Sequence, residues 1–408
     1  MRRILVVGAG QSGLYLAHGL LEHGYDVTLL TARTSTEVRY GKVAVSQLTF
    51  PSALAQERRL NLDFWRGQAP ALDTVQVDLG PTAEDRFGFA AAIEGGGVSM
   101  DRRVKMADWL EAFEDRGGKV TIHGVTVTDL DYLAGMYDLT VVAAGHGELG
   151  QLFDIDPART GGGRPRVAVD TFVFGAESPR DNTLDCVFYG GLGSMYVVPS
   201  YTPYGPGHSL FMFGEVGGPL DVSQERLNPV RLHARALELS REHAPHLYEQ
   251  VKDSELIDDK SAGVERIEPY VRDPVGVLPS GRCVLGMADT VLSIDPVVLQ
   301  GWNNSTVCAQ KYLDRIVAHG DAPFDAAFMR STFDDYWEYG QQAILLGELI
   351  GGVLEGESPP HVMELLRMLP SNPALANGIV SALDDPRAFT AMMATPEQLD
   401  QTVAATAE

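Results

Sequence analysis

Cysteine is scarce in this chain: Cys186, Cys283 and Cys308 are three residues in 408, each in an apolar stretch and none in a C-x-x-C pair. That excludes a disulfide framework and a zinc site of the usual spacing. Basic residues are also few. With 32 Lys and Arg against 55 Asp and Glu, the formal charge is −23, so the surface repels nucleic acid and anionic lipid, and an anionic ligand has to be held by local positive ends. No apolar run approaches the length of a membrane span. The opening MRRILVVGAG has a basic flank but runs into a glycine motif instead of a small-residue cleavage site. The expectation is a cytoplasmic protein that binds neither membrane nor nucleic acid. His243 and His246 in REHAPHLYE are interrupted by Pro245 and lack a third ligand nearby, so no metal is assigned.

What is present is an ordinary globular composition, 45% apolar and 21% charged, in a chain long enough for two domains. The N-terminus reads strand (RRILVVGAG), helix (QSGLYLAHGLLEHG), strand (YDVTLLT). Between the first two lies Gly8-Ala9-Gly10-Gln11-Ser12-Gly13, a Gly-x-Gly-x-x-Gly in the position where the motif binds dinucleotides. Gly8 allows the tight turn, Gly10 lets the backbone approach a pyrophosphate, Gly13 lets the helix pack on the strand, and Gln11 and Ser12 open the helix that faces the phosphates. It is taken as the chain's only Gly-x-Gly-x-x-Gly, and so as its only nucleotide cradle. The acidic residue that usually ends the second strand is missing. Thr31 stands there instead, with Arg33 two residues on; either one can meet the adenosine half, and the motif alone does not separate FAD from NADP.

Further along, Leu139 to Ala143 reads as a buried strand ending at Ala144-Gly145, which places small residues beside the cofactor. From Arg166 to Glu215 alternating runs broken by Gly and Pro suggest antiparallel strands. GRCVLGMADT returns to dinucleotide-domain character, and after Asp321 the chain turns helical. The stretch DTVLSIDPVVLQGWNN is an apolar run broken at Asp295-Pro296, whose Gly301-Trp302-Asn303-Asn304 feeds a second helix N-terminus that attracts anions. The expected division is 1–160 with 276–320 for the cofactor, 161–275 for the substrate and 321–408 for C-terminal helices.

Five segments in order, LEAFEDRGGKV, YDLTVVAAGHGELGQLFD, PYVRDPVGVLPSGRCVLGMAD, IDPVVLQGWNNS and PPHVMELLRMLPSNPALA, resemble the two-component styrene and indole monooxygenases. The resemblance implies an α/β fold: a glutathione-reductase-like Rossmann FAD-binding domain with an inserted antiparallel β-sheet substrate domain and a helical C-terminal tail. It also implies reduced FAD supplied by a separate NAD(P)H:FAD reductase, O2, a C4a-hydroperoxyflavin, and a small aromatic or indole-like substrate such as an alkene, indole or sulfide. A homodimer is left open. By the same resemblance the Asp289 carboxylate lies near the ribityl chain, Pro296 and Gly301 to Asn303 face the pyrimidine end of the ring, and Arg103 approaches the phosphates or ring. Ser46, Trp302 and Asn303 stand nearest the reaction. Departures from the family fall at Leu299 and Trp302, where Gly and Ala are usual, and at Ser46 and Gly97. Three alternatives stand beside this reading: a single-component NAD(P)H-dependent hydroxylase, a flavin-dependent halogenase and a noncatalytic FAD-binding partner.

Overall fold

The structure is a computed structural model that describes residues 1–44, 47–145 and 147–405. Its first sheet runs in the order Val275–Val277, Cys283–Gly286, Leu139–Val142, Arg3–Val7, Asp26–Thr31, Lys119–Ile122. All pairings are parallel except the edge pair Val275–Val277 with Cys283–Gly286. The central strands are mostly apolar because helices cover both faces: Ile4, Leu5 and Val6 are fully buried, as are Val141 and Val142. In register, Ile4 pairs Val27 on one side and Leu139 on the other. The carboxyl ends of four neighbouring strands, at Val7, Thr31, Val142 and Gly286, therefore open on the same side, where parallel sheets place their ligands.

The second sheet has nine strands and carries Arg166–Phe174, Thr183–Tyr189, Gly193–Thr202 and Gly205–Glu215 in its middle. Long alternating strands form it, as Ala71–Gly80 shows by burying every second residue from Val75 to Leu79. Ala71–Gly80, Phe87–Met100 and Gln47–Thr49 lie before residue 161 and still belong to this sheet. Alternating apolar residues pack Tyr196 on Phe211 as a stacked pair with centroids 4.3 Å apart. The described chain beyond Ala326–Glu355 forms four α-helices, starting at Pro360, Pro373, Pro386 and Pro396. Each begins on proline, whose fixed φ suits a first helical turn. This tail is clamped to the rest: Asn377 accepts from the Ala92 amide at 2.9 Å, and Asp384 accepts from the amide and hydroxyl of Ser52. No described helix is long and apolar enough to cross a membrane.

Helix Gln11–Glu22 packs on helix Arg102–Asp115 through His18, which is 2% exposed. Its Nε2 lies 2.9 Å from the Trp109 carbonyl, and the Arg116 guanidinium lies 3.1 Å from Nδ1. Only the neutral ring satisfies both: Nε2–H donates to the carbonyl and Nδ1 accepts from arginine. Burial pulls the pKa from 6.5 down to about 4, Arg116 adding to it against the Trp109 carbonyl. The folded state thus binds fewer protons than the unfolded state between these values. Its contribution is complete above pH 6.5 and is lost as pH falls towards 4, a cost on the order of 3 kcal/mol. His18→Gln is expected to remove that share of the acid-side slope, read from urea midpoints between pH 7 and 4.

Candidate active site

At the carboxyl ends of the parallel strands lies a cavity of about 1300 Å³. Its floor is the first glycine turn. Gly8 has φ +116°, and a Cβ there would meet the Ala143 carbonyl oxygen at 2.2 Å. A Cβ on Gly13 would meet the Gly8 carbonyl oxygen at 2.0 Å, so these two glycines serve packing. Gly10 is different. A Cβ there meets nothing within 4 Å and Gly10 lines the cavity, so its bare backbone keeps space for a ligand. Helix Gln11–Glu22 starts beside it with no side-chain cap, and helix Gly301–Ala318 reaches the same cavity, also without a side-chain cap. Two helix N-termini thus present amide N–H groups and positive dipole ends to one space.

Gly8, Gly10, Gln11, Ser12, Thr31, Arg33, Arg103, Ala144, Gly145, Asp289, Pro296, Gly301 and Trp302 all line this cavity. Gly13 stands behind it as packing, and Ser46 lies outside the described residues. The Thr31 hydroxyl folds back on its own turn, donating to the Arg33 carbonyl at 3.1 Å, while the Arg33 side chain is exposed at the mouth. Asp289 sits in the short turn Ala288–Thr290, whose backbone is fixed by the Tyr270 hydroxyl donating to the Asp289 carbonyl at 2.6 Å. Gln11 Oε1 and Trp302 Nε1, on wall residues, are buried polar atoms without a hydrogen-bond partner among the described residues. Open space at Gly10, two uncapped helix starts and orphaned polar atoms fit a long anionic dinucleotide.

Two residues differ from the roles the resemblance implies. The Arg103 guanidinium is spent on protein groups: Asp101 at 2.7 Å, Asp258 at 3.0 Å and the Ser261 hydroxyl at 2.9 Å. It pins the wall and is already neutralised. The Asn303 amide donates to the carbonyls of Leu48 (3.0 Å) and Leu299 (3.3 Å) and accepts from the Phe50 amide at 2.8 Å. Its side chain ties strand Gln47–Thr49 to the helix start and does not line the cavity. Asn303→Ala is expected to lower stability by about 2–3 kcal/mol, two or three hydrogen bonds with a buried amide left unpaired, measured by chemical denaturation.

The sequence also holds a second string of the same spacing, Gly145-His146-Gly147-Glu148-Leu149-Gly150, which corrects the expectation of a single motif. Gly145 and Gly147 open on the same cavity, and the string leads into the five-residue 3-10 turn Glu148–Leu152, with no α-helix N-terminus to face a phosphate. The Arg272 guanidinium donates to the Gly150 carbonyl. The string shapes the first cavity and makes no second cradle.

Sequence reasoning missed a charged group behind the wall. Lys105 is 2% exposed and its Nζ lies 2.6 Å from Glu57, itself 1% exposed. The ammonium sits 4.9 Å from the Trp302 ring centroid and 5.2 Å from that of Trp109. Glu57 also accepts from the Gln11 amide at 3.0 Å. The sequence gives little signal for it: Lys105 falls one turn before Trp109, but Arg102 and Asp108 stand three residues to either side, so it reads as one charge among several on that helix.

Residues 145–250 match the family described as "Styrene monooxygenase A putative substrate binding domain". Over 98% of its length the chain is 25% identical to styrene monooxygenase StyA of Pseudomonas fluorescens, covering 97% of that protein. The chain is an FAD-dependent monooxygenase of the styrene monooxygenase-like kind. Two solved structures share its fold. The flavin-dependent brominase Bmp2 superposes with a TM-score of 0.65 at 13% identity, covering 99% of this chain and 98% of the other. Klebsiella pneumoniae HpxO complexed with FAD and uric acid superposes at 0.64 with 14% identity, covering 95% and 98%. The matched segment, residues 145–250, takes in the four middle strands of the second sheet, and Phe213 from the last of them reaches the cavity.

Proposed function

We propose that this monooxygenase is the oxygenase component of a two-component system. It takes FAD already reduced by a separate NAD(P)H:FAD reductase, uses O2, and oxygenates a small electron-rich aromatic alkene, indole-like or sulfide substrate. The observation that carries the reading is one dinucleotide-sized cavity among the described residues, on which both glycine strings and both uncapped helix starts open.

Bound FAD supplies the oxygen activation, and the chain supplies position and a dry wall. The turn Gly8 to Gly13 and the amides opening its helix hold the diphosphate. Asp289 accepts from the hydroxyls of the sugar chain. Gly301 and the amides after it face the ring, and Pro296, Leu299 and Trp302 keep water from it. Trp302 is held in place by the Lys105 ammonium behind it. No acid–base pair of the chain is required to generate the oxidant, since the inserted oxygen atom comes from O2 and reduced FAD would supply the electrons.

The substrate class is tested by anaerobic loading with chemically reduced FAD, then oxygen and a panel of indoles, styrenes and thioethers. Stoichiometric oxygenation of at least one class is expected. Peroxide alone with every class would overturn the assignment.

A further inference from the structure

We infer that the mouth of the cavity is a capture site for a phosphate-bearing ligand arriving from solution, with Arg226 as its anchor. The inference rests on the reading that FAD comes and goes. Charge is the first observation. Acidic residues outnumber basic ones across the chain, 55 to 32, yet the described cavity wall carries seven basic side chains and four acidic ones; Arg103 and Arg266 are held in ion pairs, and the other five have no ion pair among the described residues. A basic opening in an acidic surface focuses the field on itself and draws anions to that point.

Backbone geometry is the second. Among the described residues five non-glycines have positive φ: Asn61, Asn182, Arg226, Ala288 and Leu299. Asparagine tolerates the left-handed region. The other three do not, and all three are at the cavity: Arg226 and Leu299 line it, and Ala288 joins the lining residues Met287 and Asp289. Strain gathers where function holds it. Leu299 and Ala288 shape the wall, but Arg226 is exposed, at φ 49° and ψ 46°, ending the turn Ser223–Glu225. Glycine or asparagine would end that turn at less backbone cost. The guanidinium is what an arginine adds there, and among the described residues it has no hydrogen-bond or ion-pair partner. Lys42 lines the same cavity, also exposed and also unpaired among the described residues. Lys260 lines the cavity beside Lys42, with the Val43 amide donating to its carbonyl at 3.0 Å, but its ammonium is engaged by the Tyr40 carbonyl at 2.7 Å, which leaves Arg226 and Lys42 as the unengaged pair.

Stopped-flow binding of oxidised FAD tests the capture site, with riboflavin as the same ring without phosphates and inorganic pyrophosphate as competitor. The FAD association rate is expected to fall as ionic strength rises, and riboflavin's to stay flat. Arg226→Gln with Lys42→Gln should slow FAD association about fivefold at low salt, converge with wild type at high salt and leave dissociation unchanged. Arg226→Gly should slow association without lowering the melting temperature, and Arg226→Lys should keep the wild-type rate. Pyrophosphate should slow FAD but not riboflavin. Unchanged association in the double variant, an equal loss for riboflavin, or a change confined to dissociation would overturn the proposal. Oxidised FAD carries the same diphosphate, so this result stands apart from whether the chain oxidises NAD(P)H itself.

Discussion

Gly10→Val is expected to lower FAD affinity by at least about a hundredfold, roughly 2.8 kcal/mol, with the melting temperature unchanged. Both halves follow from the same vacancy. Gly10 has φ −84°, which valine adopts, and a Cβ there meets no protein atom within 4 Å. The ligand-free fold therefore tolerates the side chain, and only a diphosphate lying on the backbone is displaced. Gly13→Ala makes the control, because its Cβ would stand 2.0 Å from the Gly8 carbonyl oxygen and push the helix off its strand. That variant should lose stability first and binding only with it. Calorimetric titration beside thermal melts separates the two, and wild-type affinity in Gly10→Val would show that the cradle lies elsewhere.

Lys105→Met is expected to destabilise the protein by about 3–5 kcal/mol, the usual cost of leaving one member of a buried ion pair alone. Burial pulls the Lys105 ammonium below the ordinary lysine value and Glu57 pulls it back. Without the lysine, the carboxylate at 1% exposure keeps the Gln11 amide as a hydrogen-bond donor but loses its cation. Lys105→Met with Glu57→Gln removes both charges, keeps an acceptor for Gln11 and should recover most of the loss. Urea midpoints for the two single variants and the double one give the coupling. A loss below about 1 kcal/mol in Lys105→Met would mean that the pair does not hold the wall.

The parts of the site that were legible in the sequence are those whose reason is local. Gly8 to Gly13 between a strand and a helix, and Gly301 opening another helix, declare themselves by spacing and flanking pattern. Asn303 did not, because an amide beside a glycine at a helix start reads as a ligand group until its partners, Leu48 and Phe50, are seen some 250 residues away. Arg103 does line the cavity, but its guanidinium is committed to protein groups: Asp101, two residues before it, was legible as a partner, while Asp258 is seen only once the chain folds against it. The second glycine string went unread although its spacing is identical. Its neighbour is a 3-10 turn instead of a helix, and spacing alone does not carry that difference. Strands Ala71–Gly80 and Phe87–Met100 alternate as strands should, but nothing local says which sheet they join.

Nicotinamide oxidation by the purified chain decides between an oxygenase that receives reduced FAD and one that makes it. The chain with FAD, oxygen and NADH or NADPH is expected to oxidise no nicotinamide, with or without an indole, styrene or thioether present, because both glycine strings serve one cavity. Adding an FAD reductase should then produce oxygenated substrate. Substrate-stimulated oxidation of NADH or NADPH by the chain alone would contradict this and make it a single-component hydroxylase.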